Sequence, residues 1–231
     1  MRKIISCVLA CMLLLSAFAF SGCSSVDEEG AERSLKVYLS ALTGFNMKAM
    51  DENVIGENED GDFGFEVKEL SDDYRQSDNY KKRVEDMMRT LSGTISYDIN
   101  SREAVDENTV KFNITLKYAD VNERELNQFI VERTDRYIEN NYTKIDKMDT
   151  FEYEEEMIGV YADTYEEFVT RQGKTTKDFE LVVTKINGNW RIETAKNKEF
   201  FEFLEELFVG NESVNEDLPE EVEDATEETE E

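Results

Sequence analysis

The chain has 231 residues, and its 54 acidic residues outnumber its 26 lysines and arginines, so that the formal net charge at pH 7 is −28. Because nucleic-acid binding depends on a basic surface, this charge excludes DNA and RNA as partners. The chain contains no histidine, which excludes Ser-His and Cys-His catalytic dyads and imidazole metal ligands.

The first 23 residues have the pattern of an export signal. Two basic residues precede an apolar run over 4–20, and Ser21 and Gly22 precede Cys23. The pattern resembles the lipobox of bacterial lipoproteins, although Phe20 stands where leucine is usual. The resemblance implies that residues 1–22 are removed and that Cys23 then carries a diacylglycerol. One alternative is an ordinary secretory signal with a chance cysteine. The other is an uncleaved membrane anchor, which is disfavoured because the apolar run is shorter than the roughly 20 residues that span a bilayer.

The lipid on Cys23 would be the link between this protein and the membrane. Acyl chains can hold a protein on a bilayer without help from its charge, and a strongly acidic chain is repelled by anionic lipid. The other two cysteines, Cys7 and Cys11, lie within the signal, so we expect no disulfide in the mature chain. These features predict a protein anchored on the extracytoplasmic face of the cell membrane.

Composition divides the mature chain into three parts. Residues 23–30 comprise the lipidated cysteine and a polar tether, and residues 31–210 have the size of one domain. Residues 211–231 contain eleven Asp or Glu and no Lys or Arg. Such a segment buries too little apolar surface to offset its chain entropy, so we expect a disordered acidic tail.

Apolar residues at helical spacing predict three helices at the start of the domain. The first contains residues 35–42 and ends at Gly44, and Asn46 caps a short second helix that continues to Val54. The third follows Ser77. The intervening stretch from Asp51 to Asp62 is rich in oxygen ligands, but it does not match an EF-hand calcium loop. Ile55 stands where the loop needs an oxygen ligand, and Asp62 stands where it needs a glutamate. A mobile acidic loop is therefore favoured over a calcium site.

The apolar spacing then changes from about four to two, as in strands. Alternation over 95–99 and 110–118 predicts an antiparallel hairpin with one wet face. A second hairpin joins 179–186 to 190–194 through Asn187-Gly188, a strong hairpin signal. Two helices, over 126–138 and 153–168, lie between the hairpins. A short apolar helix over 200–208 follows the second hairpin.

Helices followed by two hairpins predict an α+β domain, with N-terminal helices on a curved antiparallel sheet and two helices inserted between the hairpins. The helical segment 35–42 with its Gly44-Phe45-Asn46 break, and the strand over 188–192, resemble the cone-shaped superfamily named after nuclear transport factor 2, also called cystatin-like. They look more specifically like small extracytoplasmic lipoproteins of Gram-positive bacteria that share this fold and lack an assigned function. The resemblance covers 31–195, and the inserted helices depart from it.

Two groups of aromatic side chains are candidates for binding. Closing helices over a curved sheet commonly leaves a cavity, whose mouth could be lined by strand aromatics: Tyr97, Phe112, Tyr118 and Trp190. The competing interpretation is that they fill the core. The helix over 151–172 also carries three tyrosines, which are typical of protein interfaces: Tyr153, Tyr161 and Tyr165.

These features predict a binding or interaction module of the cell envelope, whose partner is an unknown envelope protein or small ligand. We expect no catalytic residue, cofactor or metal. The alternative is a carboxylate-dependent enzyme acting on an envelope polymer, which needs two carboxylates in a concave site, one with a raised pKa. A solute-capture lipoprotein serving a transporter is disfavoured, because the domain is short for a two-lobed receptor.

Overall fold

A computed structural model of the chain describes residues 26–56 and 77–209. In this part the helices are α1 (Glu28–Thr43), α2 (Met47–Asp51), α3 (Asp78–Thr94), α4 (Glu123–Ile145), α5 (Thr150–Arg171) and α6 (Lys198–Val209). The strands are β1 (Val54–Ile55), β2 (Ser96–Asp106), β3 (Thr109–Ala119), β4 (Lys174–Ile186) and β5 (Asn189–Glu193). The predicted signal, Cys23, most of the acidic loop and the acidic tail lie outside the described residues.

The strands form one sheet in the order β1-β5-β4-β3-β2. The pairs β2–β3, β3–β4 and β4–β5 are antiparallel, and β3 and β4 pair over their whole facing length from Thr109↔Thr184 to Ala119↔Lys174. The two-residue strand β1 pairs parallel with β5, so the sheet is mixed. The curved, open sheet with helices packed on it confirms the α+β prediction, including the two helices inserted between the hairpins.

The turn between β4 and β5 has the conformation that its two residues predict. Asn187 and Gly188 have φ values of 51° and 85°. Both lie in the left-handed region required by a two-residue type I′ hairpin, where asparagine and glycine are preferred. The predicted second hairpin is therefore confirmed.

Strand β3 divides the sheet into a dry and a wet face. Val110, Phe112, Ile114 and Leu116 are fully buried. On the other face Lys111 pairs with a carboxylate of β4, with 2.7 Å between its Nζ and the Oε1 of Glu180. This alternation follows from the period of two along a strand, and it places the core on one side of the sheet.

The dry face is covered first by α1 and α6. The Tyr38 ring on α1 makes edge contacts with Phe200 and Phe201 on α6, at centroid distances of 6.2 and 6.1 Å. Phe179 on β4 meets Phe200 at 5.2 Å. Edge-to-face pairs of this kind add stabilisation beyond that of the apolar area they bury.

The inserted helices form a second layer. Ile158 and Ala162 of α5 are buried in the main core, and α5 packs against both α3 and α4. Helix α4 contributes Leu126 and Ile130 to a separate small cluster with Phe168 of α5. Most of α4 therefore remains at the surface.

The start of the domain differs from the predicted boundary at residue 31. Helix α1 begins at Glu28, and the carboxylate of Asp27 caps it by accepting from the Gly30 N–H at 2.9 Å. The same carboxylate accepts from Nε1 of Trp190 at 3.3 Å, so the first turn is attached to β5. The sequence indicates a polar tether through Gly30 because a polar first turn shows no apolar periodicity, although aspartate is a favoured N-cap.

The end of α1 at Gly44 confirms the prediction, whereas the start of the sheet differs from it. Gly44 has a φ of −102°, and the residue with a positive φ, 47°, is Phe45. The Phe45 N–H reaches Leu42 O and the Asn46 N–H reaches Ala41 O, the bonding pattern of a Schellman cap. Val54, predicted as helical, forms β1 instead, because pairing with β5 satisfies its backbone.

Candidate functional site

A surface groove with a volume of about 910 Å³ lies between α1, α2 and α3. Its lining includes four basic side chains and one carboxylate: Arg33, Lys36, Lys48, Arg89 and Glu85. In the whole chain acidic residues outnumber basic ones by 54 to 26, so the groove reverses the overall balance of charge. We call it the basic groove.

Three helices bring the basic side chains together. Arg33 and Lys36 lie on the exposed side of α1, because its apolar residues face the core. Lys48 lies on α2, which Asn46 caps by accepting from the Ala49 N–H at 3.2 Å. Arg89 reaches from α3 to the end of α1 and donates from Nη1 to Gly44 O at 2.9 Å. That hydrogen bond connects two walls of the groove.

The basic groove also contains apolar surface. Its lining includes Val37, Ala41, Phe45 and Met47. Val37 is 45% exposed and Met47 is partly exposed, whereas Ala41 and Phe45 are buried. The arrangement of basic side chains around apolar ones suits a ligand that combines an anionic group with an aliphatic or aromatic segment.

Much of the basic charge has a partner, but not all of it. Lys36 lies 2.6 Å from Glu32, whose pKa is lowered chiefly by the hydrogen bond from Lys36. Glu32 is shared with Arg102 of β2. Arg89 pairs with Glu85. Exposed pairs of this kind contribute little to stability.

Arg33 and Lys48 are the least neutralised of the basic side chains. The described part of the chain places no carboxylate within 4.0 Å of Arg33, whereas Lys48 has Glu52 at the 4.0 Å limit, with both side chains largely exposed. A guanidinium offers five N–H donors in a geometry that matches carboxylate and phosphate groups. Arg33 is therefore the side chain best placed to bind an anion in the groove.

A second groove, of about 1140 Å³, lies between α3, α4 and α5. Glu156 accepts there from Lys144 and from the hydroxyl of Tyr137, and these two donors, that of Lys144 first, lower its pKa. Across the groove Arg83 lies 3.5 Å from Asp163. Its lining contains three basic and four acidic side chains, so this groove has a weaker preference for one charge than the basic groove has.

The shifted carboxylates of the described residues all have a pKa below the ordinary value: Asp27, Glu32, Glu156 and Glu193. For Glu193 burial acts in the opposite direction, but hydrogen bonds with Lys196 and Thr184 outweigh it and its pKa is still lowered. A glycosidase-type general acid needs the reverse, a carboxyl that retains its proton near neutral pH. These four groups are ionised there.

The four strand aromatics named as pocket candidates lie in different surroundings. Phe112 is fully buried in the core and Trp190 is 8% exposed, hydrogen-bonded to Asp27. Tyr118 packs against Phe203 of α6 at a centroid distance of 5.0 Å. Tyr97 lines a small groove of about 370 Å³ beside α1. None of the three grooves described here contains more than one of the four.

The three tyrosines of α5 also lie in different surroundings. Tyr165 is partly buried and packs against both apolar clusters. Tyr153 and Tyr161 are each 37% exposed. The exposed Phe151 lines the second groove instead. The tyrosine-rich helix therefore presents single half-exposed rings and no continuous aromatic patch.

Residues 26–56 and 77–209 lack two features. They contain no cluster of three or more cysteine, aspartate or glutamate side chains arranged to hold a metal ion. No helix among them has the length and apolar character that crossing a membrane needs.

No protein-family model matches this sequence, and a comparison with curated proteins finds no match. Among solved structures the chain is similar to one from Bacillus subtilis, described as a "putative lipoprotein". The two are 15% identical with a TM-score of 0.41, and the match covers 55% of this chain and 38% of that one. The chain thus spans well under half of this neighbour's length.

Sequence patterns did not predict the basic groove. Its basic side chains come from three helices separated by an acidic loop, so no cluster of positive charge is visible along the chain. The available signal is slight: Arg33, Lys36 and Val37 fall three or four residues apart on the polar side of α1. Only the packing of α3 against α1 adds Arg89.

Proposed function

We propose that this protein is a lipid-anchored, extracytoplasmic binding module of the bacterial cell envelope, and that its basic groove binds an anionic ligand with an apolar segment. The anchor is supported by the lipobox-like residues that end at Cys23. The ligand class is supported by one observation above all. In a chain of net charge −28, one groove has four basic side chains, one carboxylate and an exposed valine in its lining.

A membership of the cystatin-like superfamily belongs to the same proposal. Its support is the order of elements, with α1 against the dry face of a curved sheet and the β4–β5 hairpin after the inserted helices. That the module is not an enzyme is likewise a proposal, supported by the lack of histidine and by the lowered pKa values of the shifted carboxylates. Function on such a fold has to be argued from the site.

The anchor is tested by replacing the acylated cysteine in the full chain. We expect Cys23→Ala to abolish the added mass of a diacylglycerol and to release the protein from the membrane into the soluble fraction. Cys11→Ala is the matched control and should change neither the mass of the mature chain nor its partition. A mature chain that starts elsewhere than at residue 23, or that stays on the membrane in Cys23→Ala, contradicts the proposal.

The ligand class is tested on the full chain recovered from its own envelope. Native and denatured mass spectra of one sample are compared, and we expect an added mass that denaturation removes and that negative-ion spectra identify as an anion. Arg33→Glu should lower its occupancy at least tenfold, whereas Arg136→Glu, an equal charge change on the exposed side of α4, should not.

A direct titration complements the mass spectra. The dye 1-anilinonaphthalene-8-sulfonate combines an aromatic body with one negative charge, and we expect it to bind the folded chain in a manner that Arg33→Glu weakens and Arg136→Glu does not. A neutral or cationic ligand in the mass spectra, or equal effects of the two variants in both measurements, contradicts the assignment of the groove.

A further inference from the structure

The last helix ends beside the basic groove. Phe208, near the end of α6, stacks on Phe45 with 5.7 Å between ring centroids and 30° between ring planes. Phe45 is itself part of the groove lining. Any chain that continues beyond α6 therefore starts next to the groove, on the side formed by the end of α1.

The residues that follow α6 in the sequence complement the groove in charge. Residues 211–231 contain eleven carboxylates and no basic residue. They also contain aliphatic side chains at every fourth position, Val214, Leu218 and Val222, with acidic residues between them. The segment thus has the same combination of negative charge and apolar groups that the groove lining selects.

We propose that the acidic segment 212–224 of the same chain occupies the basic groove and competes there with the external ligand. This inference rests on the proposed function of the groove and adds its regulation. Carboxylates of the segment pair with Arg33 and Lys48, and its aliphatic side chains cover Val37. Ligand binding then requires displacement of the segment.

The distances allow this contact. From Arg33 to Gly44 the groove follows α1 for about 16 Å, at about 1.5 Å per residue. The six residues from Phe208 to Val214 can span about 20 Å, at roughly 3.3 Å each. The tail can reach the whole groove without strain.

Tethering makes even a weak contact effective. A short flexible linker gives an effective concentration on the order of millimolar, so a segment with millimolar affinity already fills about half of the grooves. The attraction between exposed charges is screened within about 3 Å at 1 M salt, compared with about 10 Å at 0.1 M. High salt is therefore expected to release the tail.

Zero-length carbodiimide cross-linking of the full chain tests the contact, because it joins a lysine amine to a carboxylate that touches it. We expect peptides from 212–224 to be joined to Lys36 and Lys48 within monomers. Lys198 is the control amine, since its side chain is 79% exposed against 86% for Lys48. It lies at the far end of α6, about 16 Å from the start of the tail at 1.5 Å per residue.

We expect the yield at Lys48 to exceed that at Lys198 at least tenfold, and to fall with Arg33→Glu and with 1 M salt but not with Arg136→Glu. Equal yields at the two lysines, or cross-links found only between two copies of the chain, overturn the inference.

Dye titration separates this inference from the proposed function. A chain in which Glu216, Asp217, Glu220 and Glu221 are changed to their amides should bind 1-anilinonaphthalene-8-sulfonate at least threefold more tightly than the unmodified chain. The matched control changes four distal glutamates to glutamine and should have a smaller effect: Glu227, Glu228, Glu230 and Glu231. If the dye binds the groove but neither cross-links nor amide changes have an effect, only the tail inference fails. If cross-links form and the dye binds neither chain, only the external-ligand proposal fails.

Discussion

Replacing Asn197 by alanine is expected to lower the free energy of unfolding by about 3 kcal/mol, although the side chain touches no ligand groove described above. Asn197 is 3% exposed and follows the point where β5 leaves the sheet. Its Oδ1 accepts from the Val182 N–H at 2.7 Å, and its Nδ2 donates to Val182 O at 2.9 Å. The side-chain amide thus replaces the peptide group that a longer β5 would have supplied to β4.

The magnitude follows from the number of bonds. A third bond joins Nδ2 to Glu193 O at 2.8 Å. Each intramolecular hydrogen bond contributes about 1 kcal/mol net, and a buried donor or acceptor left without a partner costs at least as much. Three bonds therefore correspond to about 3 kcal/mol. In a domain of this size that loss lowers the melting temperature by about 6 to 12 °C.

Urea unfolding followed by circular dichroism measures this change, with an unchanged m-value as evidence that the same surface is exposed. Asn113→Ala is the control, since Asn113 is exposed and donates only to Ser101 Oγ at 2.9 Å; we expect it to change the unfolding free energy by less than about 0.5 kcal/mol. If Asn197→Ala costs less than about 1 kcal/mol, the amide is not replacing a strand and the reasoning is refuted.

Three further stability predictions concern single positions. Gly44→Ala should cost nothing, or gain about 0.5 kcal/mol, because the nearest atom to an added Cβ is 3.6 Å away. Gly30→Ala should destabilise the fold by about 1–3 kcal/mol, because its Cβ would collide with the capping carboxylate of Asp27 and lie 2.8 Å from the Trp190 Nε1. Equal effects of the two changes in thermal melts contradict this. Ser92→Ala should raise the unfolding free energy by about 1 kcal/mol, because the Ser92 hydroxyl is buried without a hydrogen-bond partner among the described residues. If urea titration shows a lower unfolding free energy instead, the hydroxyl has a partner and the prediction is wrong. Hydrogen bonds, first from the Gly30 N–H and then from the Trp190 indole, lower the pKa of Asp27 below 3.8. The ionised carboxylate therefore stabilises the fold above that pH, and the difference in stability between wild type and Asp27→Asn should shrink as the pH falls through the lowered pKa. A difference in stability that does not depend on pH refutes this prediction.

Local patterns predicted strands β2 to β5 and most helices, because the causes of these elements are local. The alternation from Val110 to Tyr118 specifies a strand with one buried face, whatever covers it. Asn187-Gly188 specifies a type I′ turn because both residues accept a positive φ. The end of the first helix at Gly44 was predicted in the same way, and the structure confirms it, although the residue with a positive φ is the next one, Phe45.

The candidate site was less accessible to prediction. Aromatic residues on strands were named as pocket candidates, yet the fully buried Phe112 shows that an inward strand position serves the core. The basic groove depends on three helices that are distant in sequence, and the proximity of Phe208 to it depends on how α6 crosses α1. None of these spatial contacts follows from a regular spacing of residues along the chain.

The sequence by itself determined the period of each element, the turn at Asn187-Gly188 and the distribution of charge between domain and tail, because these depend on residues a few positions apart. Tertiary packing decided that the first turn of α1 is attached to β5, since the N-cap Asp27 also accepts from Trp190, 163 residues away. It also decided that Arg33 and Arg89 share one groove beside the end of α6. Long-range contacts of this kind depend on the shapes of packed surfaces, which no local pattern of residues encodes.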